Sequence, residues 1–214
     1  LSLRRQRQMC IRDRFVIKRK KMLSYEESLK ILKETKALID GHFILSSGLH
    51  SPKYVQCAQL LSKPDKASEI CNSLAEKIKS SIKEFDLILS PAMGGIIIGY
   101  DIGRILNTET IFSERVNGKF KLRRDFLIKK NNKVLIIEDV ITTGKSSLEC
   151  SLIGEKFGAE VVGFASLIDR SNGKSKINKK IISQVQIEIP TFTEENIPEK
   201  LKRIKATKPG SRDL

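Results

Sequence analysis

Residues 134–147, Val-Leu-Ile-Ile-Glu-Asp-Val-Ile-Thr-Thr-Gly-Lys-Ser-Ser, constrain this chain more than any other stretch. Four consecutive apolar residues, Val134 to Ile137, read as a buried strand, after which the pattern turns abruptly polar. Two adjacent carboxylates, Glu138 and Asp139, stand at the strand's end. A hydroxyl- and glycine-rich turn follows, and then an apolar-periodic segment that reads as a helix. Strand, short turn and helix in that order belong to a layered α/β fold. The turn's N–H groups and the positive end of the helix dipole cradle a phosphate. The carboxylates accept hydrogen bonds from vicinal sugar hydroxyls. A plain helix cap explains Thr142 or Ser146, but not two acids at the end of a buried strand. The Gly-x-x-x-x-Gly-Lys-Ser/Thr spacing of a Walker loop is absent. The stretch is therefore predicted to bind a sugar phosphate.

The rest of the chain alternates in keeping with an α/β fold. The pattern predicts a helix over about 24–37, a short strand and glycine turn over 41–48, and a strand over 53–56. Ile70, Leu74, Ile78 and Ile82 at fours predict an amphipathic helix over 65–83. Strands are predicted at 86–90, 110–112, 134–137, 161–167 and 183–189, with helices at 95–106 and 145–157. A polar, lysine-rich loop is predicted over 171–180. No internal repeat or second domain is visible, and 214 residues suit one domain.

Composition narrows the class. The chain is 40% hydrophobic and 30% charged, and it has no apolar run approaching the roughly 18–20 residues that span a bilayer. Four cysteines without metal-ligand spacing and only two histidines argue against zinc and for free thiols in a reducing cytoplasm. The formal charge of +15 is uneven, because nine Lys or Arg against Asp13 give residues 1–21 a charge of +8 and leave +7 for residues 22–214. The segment 4–13 resembles a translated sequencing-adapter read, so residues 1–21 are read as a non-native or disordered basic leader. Met22 is the expected start, ahead of a serine cap and two acids in a first helical turn. A nucleic-acid arm or a targeting peptide is the rival reading of that leader.

Two further joints carry chemistry. Ser90-Pro-Ala-Met-Gly-Gly95 follows a buried strand and precedes a helix, so its N–H groups can face an anion. Between the strands at 110–112 and 134–137, residues 113–125 hold five cations, Arg115, Lys119, Lys121, Arg123 and Arg124. That loop reads as a mobile excursion or hairpin of the kind that serves as a lid. Cations there meet the charge that builds on a departing pyrophosphate.

Together these motifs resemble those of the type I phosphoribosyltransferases, whose donor is phosphoribosyl pyrophosphate (PRPP). Residues 41–57, Gly-His-Phe-Ile-Leu-Ser-Ser-Gly-Leu-His-Ser-Pro-Lys-Tyr-Val-Gln-Cys, narrow this. They resemble the amino-terminal hood segment of the orotate phosphoribosyltransferase family. Residues 114–124 and 208–212 resemble the loop and carboxyl end of one bacterial branch of it. The resemblance implies a mainly parallel twisted sheet flanked by helices, with hood elements at about 22–60 and a core at about 65–190. It implies transfer of the phosphoribosyl group from PRPP to orotate, giving orotidine 5′-monophosphate and pyrophosphate. It also implies Mg2+ held mainly through PRPP, near Asp139, and a homodimer whose loop 113–125 reaches the neighbouring site.

Carried over by position, Glu138 and Asp139 would hold the ribose hydroxyls. Val140 and Ile141 would belong to the PRPP site, with Thr142, Thr143, Gly144, Lys145 and Ser146 around the 5′-phosphate and Met93, Gly94 and Gly95 around the pyrophosphate. Arg170 would pair with the orotate carboxylate, helped by Thr142, Ser46 and Tyr54. Arg115, Lys119 and Asp139 are the catalytic candidates. Some branches carry a lysine where this chain has Gly94 or Ser46, and others a histidine in the loop. Which of Lys119, Lys121, Arg123 and Arg124 compensates stays open. A DNA-binding regulator on the same fold would need a helix-turn-helix domain, for which residues 1–21 leave no room. A purine-salvage transferase shares the PRPP motif but fits neither the hood segment nor Arg170, so neither nucleic acid nor membrane is an expected partner.

Overall fold

The computed structural model describes residues 22–209. The leader reading of residues 1–21 and the end of the 208–212 motif lie outside the described residues. The chain opens with α1 (Tyr25–Glu34), a hairpin of β1 (Leu38–Ile44) and β2 (His50–Val55), one turn of α2 (Ala58–Leu61), and α3 (Pro64–Ser81). There follow β3 (Leu87–Pro91), α4 (Gly94–Leu106), β4 (Glu109–Val116), β5 (Lys119–Leu122) and β6 (Lys133–Ile141). The chain continues with α5 (Lys145–Lys156), β7 (Glu160–Asp169), β8 (Ile181–Gln186) and a final short α6 (Glu199–Lys202).

Local sequence explains these elements. Ser24 and Glu27 form a reciprocal capping box at α1, with Ser24 Oγ accepting the Glu27 N–H at 3.1 Å and the Glu27 carboxylate accepting the Ser24 N–H at 2.8 Å. The helix ends three residues before the sequence pattern predicts, where Thr35 caps it and Lys36 turns left-handed. Pro64 occupies the first turn of α3, where no N–H is needed. Its Ile70, Leu74 and Ile78 are buried at fourfold spacing.

A six-stranded sheet in the order β5-β4-β3-β6-β7-β8 carries the fold. All its pairings are parallel except β4 with β5. Helices cover both faces. Val134 and Ile136 of β6 pack with Cys150 and Ile153 of α5, whereas Leu135 and Ile137 join Leu74 of α3 and Ile98 of α4. Parallel strands place the ends of β3, β4, β6 and β7 along one carboxyl edge, where open α/β sheets take ligands.

β6 and β4 run further than expected. β6 continues through Ile141, because Val140 and Ile141 still pair with Ile168 and Asp169 of β7. β4 runs to Val116 because it pairs antiparallel with β5 across Asn117 and Gly118. Those two turn residues have φ of 50° and 78°, the doubly left-handed turn that joins twisted strands tightly. Residues 113–122 thus form a hairpin, one of the two forms expected of this segment. β8 begins at Ile181, two residues early, where Ile181 pairs with Phe164. The single turn of α2 has too little periodicity to be read from sequence.

The β1–β2 hairpin sits apart as a two-stranded hood. The carboxyl-terminal stretch fastens it on both sides, since Thr207 bridges to Phe43 and Phe192 to His50. The chain's two histidines complete the joint, with His42 Nε2 2.7 Å from His50 Nδ1 and His42 Nδ1 2.9 Å from the Ile204 carbonyl.

Candidate active site

Four strand ends bring the predicted residues to one edge. At the centre, alternation along β6 turns Glu138 and Asp139 to opposite faces of the sheet. Glu138 faces α5, where the buried Ser147 hydroxyl donates to its carboxylate. Burial pushes the Glu138 carboxyl up to about 7, and the neighbouring Asp139 adds to this, while the Ser147 bond and Arg115 oppose it. Asp139 faces the start of α4. Burial raises its carboxyl too, against the Val140 N–H that donates to its Oδ1 at 2.9 Å. Both acids therefore sit on a partly desolvated edge, and among the described residues neither forms an ion pair.

Gly94 explains why no side chain is tolerated opposite Asp139. A Cβ on Gly94 would lie 2.6 Å from both Asp139 carboxylate oxygens, and one on Gly95 would lie 3.0 Å from the Ile137 carbonyl. The two glycines let the loop after β3 press against β6. Met93 is exposed just before them.

The turn after β6 is built around Gly144, whose φ is +76°. Thr142, Thr143 and Lys145 are exposed there and Ser146 is half-buried. Thr143 Oγ1 accepts the Lys145 N–H at 3.3 Å. The remaining first-turn N–H groups of α5 point to the same opening, as helix starts do. Val140 and Ile141 turn out to be strand residues. The Val140 N–H is taken by Asp139, and the Ile141 carbonyl accepts the Arg170 N–H at 2.8 Å. Beneath the turn lies the lysine-rich loop, with Ile177 against Gly144 and the Lys176 N–H on the Thr143 carbonyl at 3.2 Å.

Arg170 leaves the end of β7 beside this turn. Its Nε is buried and has no hydrogen-bond partner among the described residues. Burial lowers its pKa because no carboxylate offsets the lost hydration. A buried, unpaired guanidinium donor costs about 1–3 kcal/mol, so the site is poised for an anion.

The cations of this segment fall into three groups. Arg124 and Arg123 both hold Glu114, at 2.9 and 3.6 Å. Lys119 and Lys121 form no ion pair with any described residue. Arg115 is engaged within its own chain, with Nη2 2.7 Å from Glu149 of α5 and the guanidinium 4.1 Å over the Phe120 ring. In the hood, Ser46 lies exposed at the β1–β2 turn and the Tyr54 ring sits 5.6 Å from Phe43. The end of β2 meets the site through Cys57, whose Sγ lies 3.9 Å from the Asp139 carbonyl. Sequence reasoning missed Ser147 and Glu149. Both follow the phosphate turn in a helical pattern that any solvated face would share.

Comparison with known proteins decides the lineage. The family model of the phosphoribosyl transferase domain matches residues 56–203. An orotate phosphoribosyltransferase from Erythrobacter litoralis is 46% identical over 188 residues, covering 87% of this chain and 97% of that protein. The chain belongs to the orotate phosphoribosyltransferase family. Its counterpart from Parvibaculum lavamentivorans is 45% identical across 90% of this chain and all of that one. The crystal structure of the Aeropyrum pernix orotate phosphoribosyltransferase shares the fold, with a TM-score of 0.65 at 23% identity over 74% of this chain and 92% of that one. An adenine phosphoribosyltransferase from Thermoanaerobacter pseudethanolicus also aligns, at a TM-score of 0.54 over 63% of this chain and 88% of that one. The fold alone therefore does not choose the base. Among the described residues, no helix is long and apolar enough to cross a membrane.

Proposed function

We propose that this chain transfers the phosphoribosyl group of PRPP to N1 of orotate, releasing pyrophosphate and forming orotidine 5′-monophosphate. The observation that carries the base assignment is the half-buried Arg170, whose Nε is itself buried and unpaired beside the phosphate turn. Its planar fork matches the orotate carboxylate bidentately. Thr142 stands next to it in the turn, and Ser46 and Tyr54 of the hood would close over the base. The hood (about 22–60) and core are read as one domain. The buried free thiols Cys57, Cys71 and Cys150 suit a reducing compartment, which we take to be the cytoplasm.

The residues divide the work by charge. Thr142, Thr143, Gly144, Lys145 and Ser146 take the 5′-phosphate on the amino end of α5. Glu138 and Asp139 accept hydrogen bonds from the ribose hydroxyls, which offsets the cost of burying two acids. Met93, Gly94 and Gly95 present backbone N–H groups to the pyrophosphate at the start of α4. As the bond from C1′ to the pyrophosphate oxygen breaks, positive charge grows on the ribose and negative charge on the leaving group. Arg115 and Lys119 on the hairpin meet that negative charge, and no protein nucleophile is required. Orotate, held by Arg170, delivers N1 to C1′ and gives up its N1 proton to the departing pyrophosphate, while the hood and hairpin exclude water.

Among the described residues, no cluster of three or more His, Cys, Asp or Glu side chains could hold a metal. The oxygen donors at the site are Glu138 and Asp139, a set that fits Mg2+ shared with substrate oxygens and water rather than caged by protein. When bound there, the ion would neutralise charge on the pyrophosphate.

A homodimer completes the reading. Met93, Ile97 and Tyr100 form an exposed apolar stripe beside the pyrophosphate loop, of the kind that marks a protein contact. A second copy on that stripe would bring its hairpin near this site. The test is loss of orotate absorbance with PRPP and Mg2+, run beside adenine and hypoxanthine. PRPP-dependent consumption of orotate alone supports the reading, and consumption of a purine instead overturns it.

A further inference from the structure

We propose that Glu149 is a positioning residue that parks Arg115 and Lys145 while the site is empty, and yields Lys145 to the 5′-phosphate and Arg115 to the pyrophosphate of the arriving substrate. The inference rests on the reading of the α5 amino end as the phosphate site. Glu149 lies one turn along α5 from Lys145, and its two oxygens serve different cations. Oε2 holds Arg115 Nη2 at 2.7 Å, and Oε1 lies 3.9 Å from Lys145 Nζ. Arg115 belongs to β4 and Lys145 to the phosphate turn, so one carboxylate ties the hairpin to the site.

The remaining contacts of Arg115 keep it folded down. Its Nη1 donates to the Gly118 carbonyl at 2.5 Å, and its guanidinium stacks on Phe120. Four helical residues advance about 6 Å along the axis, so an arginine on Glu149 is set back from the first-turn N–H groups. An arriving polyphosphate competes with Glu149 for both cations. Departing pyrophosphate returns Arg115 to it, which keeps that product from being held too tightly. Partly exposed ion pairs shift an equilibrium by about two- to fivefold each. That is enough to bias a lid without locking it.

The test compares wild type with Glu149→Gln, and with Glu155→Gln as a control for net charge at the far end of the same helix. Pyrophosphate inhibition, PRPP KM and kcat are measured with orotate, and amide hydrogen exchange is followed over residues 116–122 without ligand. The expected result for Glu149→Gln is a pyrophosphate Ki and PRPP KM each about three- to tenfold lower. A lower kcat and faster hairpin exchange in the free protein should accompany it, with Glu155→Gln like wild type. Unchanged or higher Ki and KM in Glu149→Gln would overturn the proposal while leaving the site reading intact. A wild type that consumes no orotate would overturn the site reading, and this proposal with it.

Discussion

Replacing Glu138 by Gln should stabilise the ligand-free protein at high pH while crippling it as an enzyme. Burial is the main cause that raises the Glu138 carboxyl from 4.5 to about 7. An acid with a raised folded pKa binds its proton more tightly in the folded state than in the unfolded one. Ionising it therefore penalises folding as pH climbs between those two values. The penalty is complete above about pH 7 and absent below about pH 4.5. That gap corresponds to about 3 kcal/mol, reduced to about 1–3 kcal/mol because water still reaches part of the carboxylate. Gln keeps an oxygen to accept the Ser147 hydroxyl and carries no charge to bury. At pH 8.5 its melting temperature should exceed that of wild type by roughly 3–10 °C in a chain of this size. At pH 4 the difference should nearly vanish. The loss of a charged acceptor should lower kcat/KM for PRPP by about 10- to 100-fold. Calorimetric melting at both pH values checks this. A variant that is destabilised at pH 8.5, or shifted equally at both, would refute the argument that burial of charge dominates at this position.

Two glycines give companion tests. Gly94→Ala places a Cβ 2.6 Å from the Asp139 oxygens, so that acid must move. We expect kcat/KM for PRPP to fall by about 10- to 100-fold while thermal unfolding barely shifts. Gly144→Ala combines a φ of +76° with a Cβ 2.9 Å from Ile177. Chemical denaturation should show a loss of about 1–3 kcal/mol, with weaker phosphate binding beside it.

Legibility in the sequence followed the physics of each segment. The strand at residues 134–137, the turn at 142–146 and the anion loop at 90–95 were readable because apolar runs, glycines and hydroxyls are local signals. The limits of β6 and β4 were not, because their last residues are held by pairing with β7 and β5 rather than by local pattern. The partners of the acids were hidden for a related reason. Period-2 alternation sends Glu138 to Ser147 and Asp139 to Gly94, and those meetings depend on helices placed by the whole sheet. Gly94 looked like a missing cation in sequence. In the structure it is the space that Asp139 occupies. The hood's attachment to Phe192 and Thr207 joins segments about 150 residues apart, beyond the reach of any window.

The central claim is that Arg170 reads a carboxylate on a pyrimidine base. The most direct measurement is kcat/KM for orotate against uracil, which lacks that group, in wild type and in Arg170→Ala. A site built to pair a buried donor rejects the analogue lacking its partner by about 10^4–10^5. The account predicts such a preference in wild type and its fall by about a hundredfold or more in the variant, with PRPP KM little changed. A wild type that uses both bases equally, or a preference that survives Arg170→Ala, would contradict it.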